Sequence, residues 1–198
     1  MRYVKGHGLQ TRSRIVETAS RGLRQSGADG VSVVDLMKLA GLTHGGFYSH
    51  FESREALVIE AFAQAMDRTV SDWLKRTRGL PAEERFDAVI EGYLSPSHRD
   101  NRARGCVLPA LGTDIARSSP KARRMFARKF DEMIEALAPL FPNKSPKQAR
   151  QLATSALATM MGSIVLARAA GDKKLSGDIL EAGRQALRHQ SAVRRSSK

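Results

Sequence analysis

Residues 30–57 read GVSVVDLMKLAGLTHGGFYSHFESREAL, and they contain two short helical patterns joined by a tight turn. Ser32 stands where a serine caps a helix, with Asp35 three residues later. This helix ends at Ala40-Gly41, and Thr43 is placed to cap a second short helix over residues 44–51. Two short helices in this arrangement, in front of a longer one, are typical of a helix-turn-helix.

The apolar residues of this region predict a small core that a preceding helix, about residues 11–25, completes. Ile15, Ala19 and Leu23 recur at spacings of four on that first helix. The expected partners from the helix-turn-helix are Val31, Leu36, Leu39, Ala40, Leu42, Phe47 and Phe51. The sequence therefore predicts a compact three-helix N-terminal domain, residues 1–54.

The rest of the chain, residues 55–198, continues with helical periodicity and contains no alternating strand pattern. Ser53 begins a long helix that Gly79 and Pro81 end, and apolar residues at threes and fours predict further helices. We expect these at about residues 81–94, 106–116, 118–137, 149–170 and 176–189. The predicted fold is all-α, with about nine helices in an N-terminal helix-turn-helix domain and a larger C-terminal domain.

Composition narrows the function classes. The 198 residues include 33 Lys and Arg against 20 Asp and Glu, a net charge of +13, which favours an anionic partner. Residues 1–54 contribute +4 and residues 55–198 contribute +9, so charge alone does not locate the binding site. No uncharged stretch reaches the roughly 20 residues of a membrane span, and the N-terminus lacks the apolar core of a secretion signal. We expect a cytoplasmic protein without a membrane partner.

The motifs in residues 30–57 resemble the DNA-binding domain of TetR/AcrR-type transcriptional regulators. The resemblance is carried by four segments, GVSVVDL (30–36), AGLT (40–43), GFYSHF (46–51) and SREAL (53–57). It implies a homodimer that binds double-stranded, palindromic operator DNA as a repressor and is released by a small-molecule or thiol-reactive signal. Met37 departs from the family, which usually has a small residue at this position.

The resemblance also implies which residues contact DNA. Ser32 and Thr43 would donate to phosphates at helix starts, Tyr48 and His50 would contact phosphate and sugar, and Arg54 would bind a phosphate. The positions that face base edges are His44, Gly45, Gly46 and Ser49. The two glycines weaken this helix by about 0.5–1 kcal/mol each. Either the DNA backbone approaches so closely that only glycine fits, or Phe47 and Phe51 hold the helix and the glycines are merely tolerated.

In the C-terminal part, the resemblance implies an effector pocket and a dimer interface. The last two long helices would pair with those of a second subunit, although their small and apolar residues also suit the core of a monomer. A set of aromatic and methionine side chains could line an apolar effector pocket or simply form the core: Phe62, Met66, Trp73, Phe86, Tyr93, Phe126 and Phe130.

The single cysteine, Cys106, follows the cations Arg102 and Arg104 and is expected to begin a helix. Cations and a helix N-terminus both lower a thiol pKa, which makes Cys106 a candidate sensor of electrophiles or oxidants; the alternative is an inert buried cysteine.

The sequence predicts no catalytic residues, no metal site and no cofactor. It lacks a phosphate-binding glycine loop, zinc-ligand spacing and a nucleophile elbow, so we do not expect an enzyme. The rival hypothesis is an effector-independent DNA-binding or architectural protein. A second rival hypothesis is a helical small-molecule-binding protein whose DNA-binding domain no longer binds DNA.

Overall fold

The structure, a computed structural model, describes residues 5–27 and 32–192, and all regular secondary structure in these ranges is helical. The nine α-helices are α1 (Lys5–Ser26), α2 (Val33–Leu39), α3 (Arg54–Thr77), α4 (Ala82–Tyr93), α5 (Pro96–Asp100), α6 (Leu108–Ala116), α7 (Pro120–Leu137), α8 (Pro146–Ala169) and α9 (Lys173–Ala192). The predicted all-α fold with about nine helices is confirmed for the described residues.

Two elements nevertheless differ from the sequence prediction. The α-helix expected over residues 44–51 is reduced to one 3₁₀ turn at His44–Gly46. Conversely, the region between the helices expected at residues 81–94 and 106–116 contains the short helix α5, because the Ser95 hydroxyl accepts the His98 N–H at 3.1 Å and Pro96 fits the first turn. The number of α-helices therefore equals the expected number, because α5 is present in addition and the helix expected over residues 44–51 is absent.

The chain divides into two compact units, of which the first contains the described residues up to Asp67 together with Cys106–Ala127. Its core is formed by Ile15, Ala19 and Leu23 on α1, as expected, and by Leu36 and Met37 on α2. Ala40, Phe47 and Phe51 are also buried, whereas Val31 lies outside the described residues.

Leu39 was expected in this core, and that prediction is wrong because its side chain is 76% exposed. Leu36, Met37 and Ala40 span an arc of about 100° on α2, and Leu39 falls beyond the edge of that arc.

The second unit contains Arg68–Gly105 together with the described residues from Arg128 onward. Its longest helices, α8 and α9, pack against each other. A capping box starts α8, in which the Ser145 hydroxyl accepts the Gln148 N–H and the Gln148 side chain accepts the Ser145 N–H. The close packing depends on Gly183, since a Cβ there would lie 2.5 Å from Ser163 Oγ and 3.1 Å from Leu94 Cδ1.

Within the described residues, α8 is also the one helix whose length and composition would suit a membrane span, with a mean hydropathy of 1.4 over its most apolar window. Core helices of water-soluble proteins meet the same criterion. Ala153, Ala156, Leu157, Met160 and Ile164 of α8 are buried within the second unit, so one face of this helix packs into the core of that unit.

Candidate nucleic-acid interface

The segment after α2 is held by local turns rather than by an α-helix. The Gly46 N–H donates to the Thr43 carbonyl at 3.1 Å, and the N–H groups of His50 and Phe51 both donate to the Phe47 carbonyl, at 2.9 and 3.0 Å. The Ser49 hydroxyl donates to the Gly46 carbonyl at 2.7 Å. Consecutive glycines have low helix propensity, so a chain of turns replaces the predicted helix. We call residues 43–51 the recognition segment.

Two phenylalanines fix the recognition segment to the first unit. Phe47 and Phe51 are 1% and 3% exposed, and their rings stack with centroids 5.6 Å apart. The burial of two aromatic side chains stabilises the segment by several kcal/mol even without helical hydrogen bonds, at about 1.5–3 kcal/mol for each side chain. The position of the recognition segment is thus set by side-chain packing.

Arg12 is a further anchor, which the sequence analysis did not identify. Its guanidinium lies over the Phe51 ring at 4.2 Å, donates to the His50 carbonyl and forms an ion pair with Glu60. It thereby connects α1, the recognition segment and α3. The spacing of Arg12 and Phe51 along the sequence gives no signal for this contact, because only the fold brings the two residues together.

The predicted DNA-contacting residues lie mostly at the surface. Ser32, Thr43, Gly45, Tyr48, Ser49 and Arg54 are exposed, whereas Gly46 and His50 are half-buried. The His44 side chain lies outside the described set. Tyr48 is 68% exposed, with its ring edge-on to Phe47 at 5.2 Å, so the core presents it outward.

Ser32 is already engaged in the cap of α2. Its hydroxyl accepts the Asp35 N–H at 3.0 Å and donates to the Asp35 carboxylate at 2.6 Å. A phosphate oxygen at this point would have to compete with that carboxylate for the Ser32 proton. At the start of α3, the Ser53 hydroxyl accepts the Ala56 N–H at 3.0 Å, as the sequence predicted, and Arg54 is the first residue of the helix.

The residues expected to line an effector pocket are distributed over both compact units. Phe62, Met66, Cys106 and Phe126 belong to the first unit, and Trp73, Phe86, Tyr93 and Phe130 belong to the second. Phe126 and Phe130 are half-buried, and the other members of the set are buried. Phe62 and Phe126 face each other with centroids 6.0 Å apart, and Trp73 and Tyr93 do so at 6.3 Å.

One cavity of about 230 Å³ lies within the first unit. Its apolar wall consists of Val58, Ile59, Phe62, Leu111, Ile115, Ala122 and Met125. Charged and polar groups of Arg54, Glu55, Asp114 and Ser118 also line it. Of the eight predicted effector residues, only Phe62 belongs to its wall. Arg54 therefore lines this cavity as well as beginning the helix that follows the recognition segment.

Cys106 is 3% exposed and lies before α6, whose N-cap is Val107. The expectation that it begins the helix is therefore wrong by two residues. Burial restricts access of oxidants and electrophiles to the sulfur. Within the described residues, no group of three or more His, Cys, Asp or Glu side chains is arranged to hold a metal ion.

Two family models match the chain. The model described as "Bacterial regulatory proteins, tetR family" matches residues 15–61, and the C-terminal domain model of LmrA/YxaF-like transcriptional regulators matches residues 82–175. The first match contains the recognition segment, and the second covers most of the remaining helices.

Relatives and solved structures agree with these matches. The chain is 28% identical over 170 residues to an uncharacterised HTH-type transcriptional regulator of Mycobacterium tuberculosis, which covers 81% of this chain and 86% of the relative. It is 24% identical over 127 residues to the HTH-type transcriptional repressor DhaR of Mycobacterium sp. strain GP1, spanning 63% of this chain and 62% of DhaR.

Among solved structures, a TetR transcriptional regulator from Chloroflexus aurantiacus superposes with a TM-score of 0.77 at 26% identity, covering 94% of this chain and 96% of that one. The reduced form of Escherichia coli NemR has the same fold, with a TM-score of 0.77 at 18% identity and coverage of 91% and 96%.

Proposed function

The chain belongs to the TetR family of bacterial regulatory proteins and is a DNA-binding transcriptional regulator, and from this premise we propose that it is a repressor that occupies a palindromic operator as a homodimer and leaves it when an effector acts. The DhaR relative is named a repressor, which supports this direction of regulation. In this proposal residues 1–54 form the domain that binds DNA, and residues 55–198 form the domain that binds the effector and dimerises.

The observation that carries the proposal is the recognition segment. The buried side chains of Phe47 and Phe51 fix it to the core of the first unit. Thr43, Gly45, Tyr48 and Ser49 are exposed. A surface segment that is polar outside and fixed by aromatic side chains inside suits a groove of DNA. Gly45, Gly46, Ser49 and His44 face base edges, whereas Tyr48, His50, Ser32 and Thr43 contact the sugar-phosphate backbone.

Arg54 supplies a phosphate contact from the first turn of α3. The planar guanidinium of an arginine can donate two parallel hydrogen bonds and so matches the geometry of a phosphate. Each such contact releases counterions, which makes operator affinity fall steeply as salt rises. Arg54 should account for a measurable part of that salt dependence, whereas Tyr48, whose side chain carries no cationic group, adds affinity without changing it.

Dimerisation places two recognition segments on the two halves of a palindrome. The helices α8 and α9 are the proposed interface, since Val165, Leu166 and Leu175 are 43%, 59% and 51% exposed on a single chain. Apolar side chains of this size are stabilised when a partner covers them.

The effector is either a small apolar molecule or a thiol-reactive one. The cavity beside Phe62 supports the first, because most of its lining residues are apolar and its volume of about 230 Å³ exceeds that of a cavity of about 150 Å³ that binds benzene. The burial of Cys106 means that a thiol-reactive signal requires local opening. In either case an effector must bind the DNA-incompetent arrangement more tightly than the competent one. We propose no catalytic activity and a cytoplasmic location.

The test is equilibrium binding to fragments of the upstream intergenic DNA at physiological salt with nonspecific competitor DNA. We expect a saturable complex that Tyr48→Ala and Arg54→Ala each weaken about tenfold, with a smaller salt dependence in Arg54→Ala alone. Arg78→Ala is the matched control, because it removes one exposed cation from the second unit. Unchanged affinity in both Tyr48→Ala and Arg54→Ala, with unchanged salt dependence in Arg54→Ala, would refute the proposed interface.

Effector release is tested on the same complex with a maleimide and, separately, with small aromatic compounds. Release by the maleimide that is absent from Cys106→Ser identifies a thiol signal, and release by an aromatic compound in both proteins identifies an apolar ligand. A complex with no sequence preference and no releasing agent would favour the architectural hypothesis.

A further inference from the structure

The first half of α7 carries an unusual concentration of positive charge. Residues 120–130 contain five Lys and Arg and no Asp or Glu. Three of these cations, Lys121, Arg123 and Arg124, are exposed and belong to the first unit, the same unit as the recognition segment. We call these three residues the α7 basic patch.

The α7 basic patch has no carboxylate partner among the residues that the structure describes. The second half of α7 is different, since Asp131 and Glu135 pair with Arg150 and Glu132 pairs with Lys129 at 2.7 Å. Internal ion pairs therefore neutralise the acidic half of the helix, while the basic half remains available to an external anion.

The helix geometry directs two members of the patch away from the core. Phe126 packs on Phe62, and at 100° per residue Lys121 and Arg124 lie about 140° and 160° from Phe126 around α7. Because they are three residues apart, Lys121 and Arg124 are neighbours on the same face of the helix. Two cations side by side on one exposed face suit a row of phosphates better than a single small anion.

The patch also lies close to a proposed DNA contact. Ala122, which follows Lys121 directly, lines the same cavity as Arg54. Along one DNA strand the phosphates are spaced by about 3.4 Å of helix rise. Arg54 and the start of α7 therefore line the same cavity of the first unit, and a DNA strand that contacts Arg54 offers further phosphates at this spacing on either side.

We propose that the α7 basic patch binds the phosphate backbone of the DNA that flanks the operator half-site, extending the protein's footprint beyond the recognition segment. This inference rests on the proposed role of Arg54. It also gives a role to part of the net positive charge of residues 55–198, which lies outside the recognition segment. The contacts are with phosphates alone, so they raise affinity without adding sequence preference.

The experiment compares two duplexes, a trimmed operator and the same operator with ten further base pairs on each side. The operator is first selected from a random duplex library with the wild-type protein. For the wild type, the slope of log affinity against log salt should be steeper by about 1.8 per half-site on the flanked duplex, the value for two phosphate contacts. Between 50 and 200 mM salt this corresponds to about tenfold additional loss of affinity for each half-site, and about a hundredfold for the two half-sites of the operator.

Lys121→Ala/Arg124→Ala should remove this difference between the two duplexes and leave binding to the trimmed duplex unchanged. The control Arg78→Ala/Lys147→Ala removes two exposed cations from the second unit and should keep the difference. Alanine is a strong helix former, so the α7 variant is expected to fold, and circular dichroism checks this.

A flank-length effect that is absent from the wild type, or that Lys121→Ala/Arg124→Ala retains, would overturn the inference. Failure of the proposed function is seen separately, as an Arg54→Ala variant that binds the trimmed duplex with wild-type affinity and slope.

Discussion

The two glycines of the recognition segment occupy different surroundings. A Cβ on Gly45 would meet nothing within 4 Å, whereas a Cβ on Gly46 would lie 3.7 Å from Met37 Cε and from Thr43 Oγ1. A methyl group added at Gly46 would therefore point toward Met37 and Thr43, whereas one added at Gly45 would point into open space. The two explanations for the glycine pair, close approach to DNA and simple tolerance, can be separated by substituting each residue alone.

We expect Gly45→Ala to weaken operator binding by about tenfold while raising the free energy of unfolding by about 0.4–1 kcal/mol. The stabilisation arises because alanine restricts the unfolded chain more than glycine does, and the loss of affinity arises because the new methyl group occupies space that the DNA needs. Gly46→Ala is the control, with the same backbone effect but a methyl group that points toward Met37. Unchanged or tighter binding by Gly45→Ala, measured by fluorescence anisotropy, would show that the glycine is merely tolerated.

His98 is a second residue whose environment leads to a measurable effect. Its ring is half-buried, its Nδ1 donates to the Tyr93 carbonyl at 2.6 Å, and Arg168 and Arg76 are nearby cations. Burial is the largest influence and lowers the pKa of His98 below its ordinary value of 6.5; the Tyr93 hydrogen bond opposes this, and the two arginines reinforce it.

We therefore expect the free energy of unfolding to fall as the pH decreases below about 6.5. In that range the unfolded chain binds a proton at His98 and the folded chain does not, so protonation favours the unfolded state. Above this range the contribution is fully present. Urea unfolding at pH 7.5 and pH 5.5 should show a smaller decrease for His98→Gln than for the wild type. An equal decrease in both proteins would mean that other groups cause it.

At the scale of elements, most helices could be predicted from periodicity and caps, and the failures have local causes. Ser53 and Ser145 begin α3 and α8 because their hydroxyls satisfy backbone N–H groups. The recognition segment departed from its predicted helix where Gly45 and Gly46 reduce helix propensity. Arg12 was missed because its contacts with His50 and Glu60 exist only in the folded chain.

The packing of α8 on α9 gives a matched pair of glycine substitutions within one helix. Gly183→Ala should destabilise the protein by about 1–3 kcal/mol, because its Cβ would collide with Ser163 Oγ and press on Leu94. Gly177→Ala, also on α9, meets nothing within 4 Å and should stabilise the protein by about 0.5–1 kcal/mol. Thermal unfolding at equal protein concentration distinguishes them. Equal effects would imply that the two helices separate easily.

At the scale of the whole molecule, the sequence motifs identified the DNA-binding region more sharply than the effector site. The recognition segment is contiguous in sequence, so its motif can be recognised directly from the order and spacing of its residues. The predicted effector residues are separated by as many as 68 positions, from Phe62 to Phe130, and burial suits both a core and a pocket. Periodicity can find an apolar face but cannot say whether space remains between two such faces, which is why only Phe62 coincides with the cavity wall.

The dimer is the remaining whole-molecule prediction, and it depends on the exposed apolar residues of α8. Leu166→Glu places a charge where a second subunit is expected to pack, so the variant should be monomeric by analytical ultracentrifugation at concentrations where the wild type is dimeric. Leu74→Glu is the matched control, since Leu74 is 60% exposed on α3, similar to the 59% of Leu166.

The same pair of variants connects dimerisation to operator binding. A monomer has one recognition segment, so Leu166→Glu should bind a full palindrome and an isolated half-site with the same affinity. The wild type and Leu74→Glu should bind the palindrome at least a hundredfold more tightly than the half-site, because the second contact is made within a complex that already exists. If Leu166→Glu remained a dimer with full preference for the palindrome, the interface would have to lie outside this face of α8. If the wild type showed no preference for the palindrome, two-fold recognition itself would be excluded.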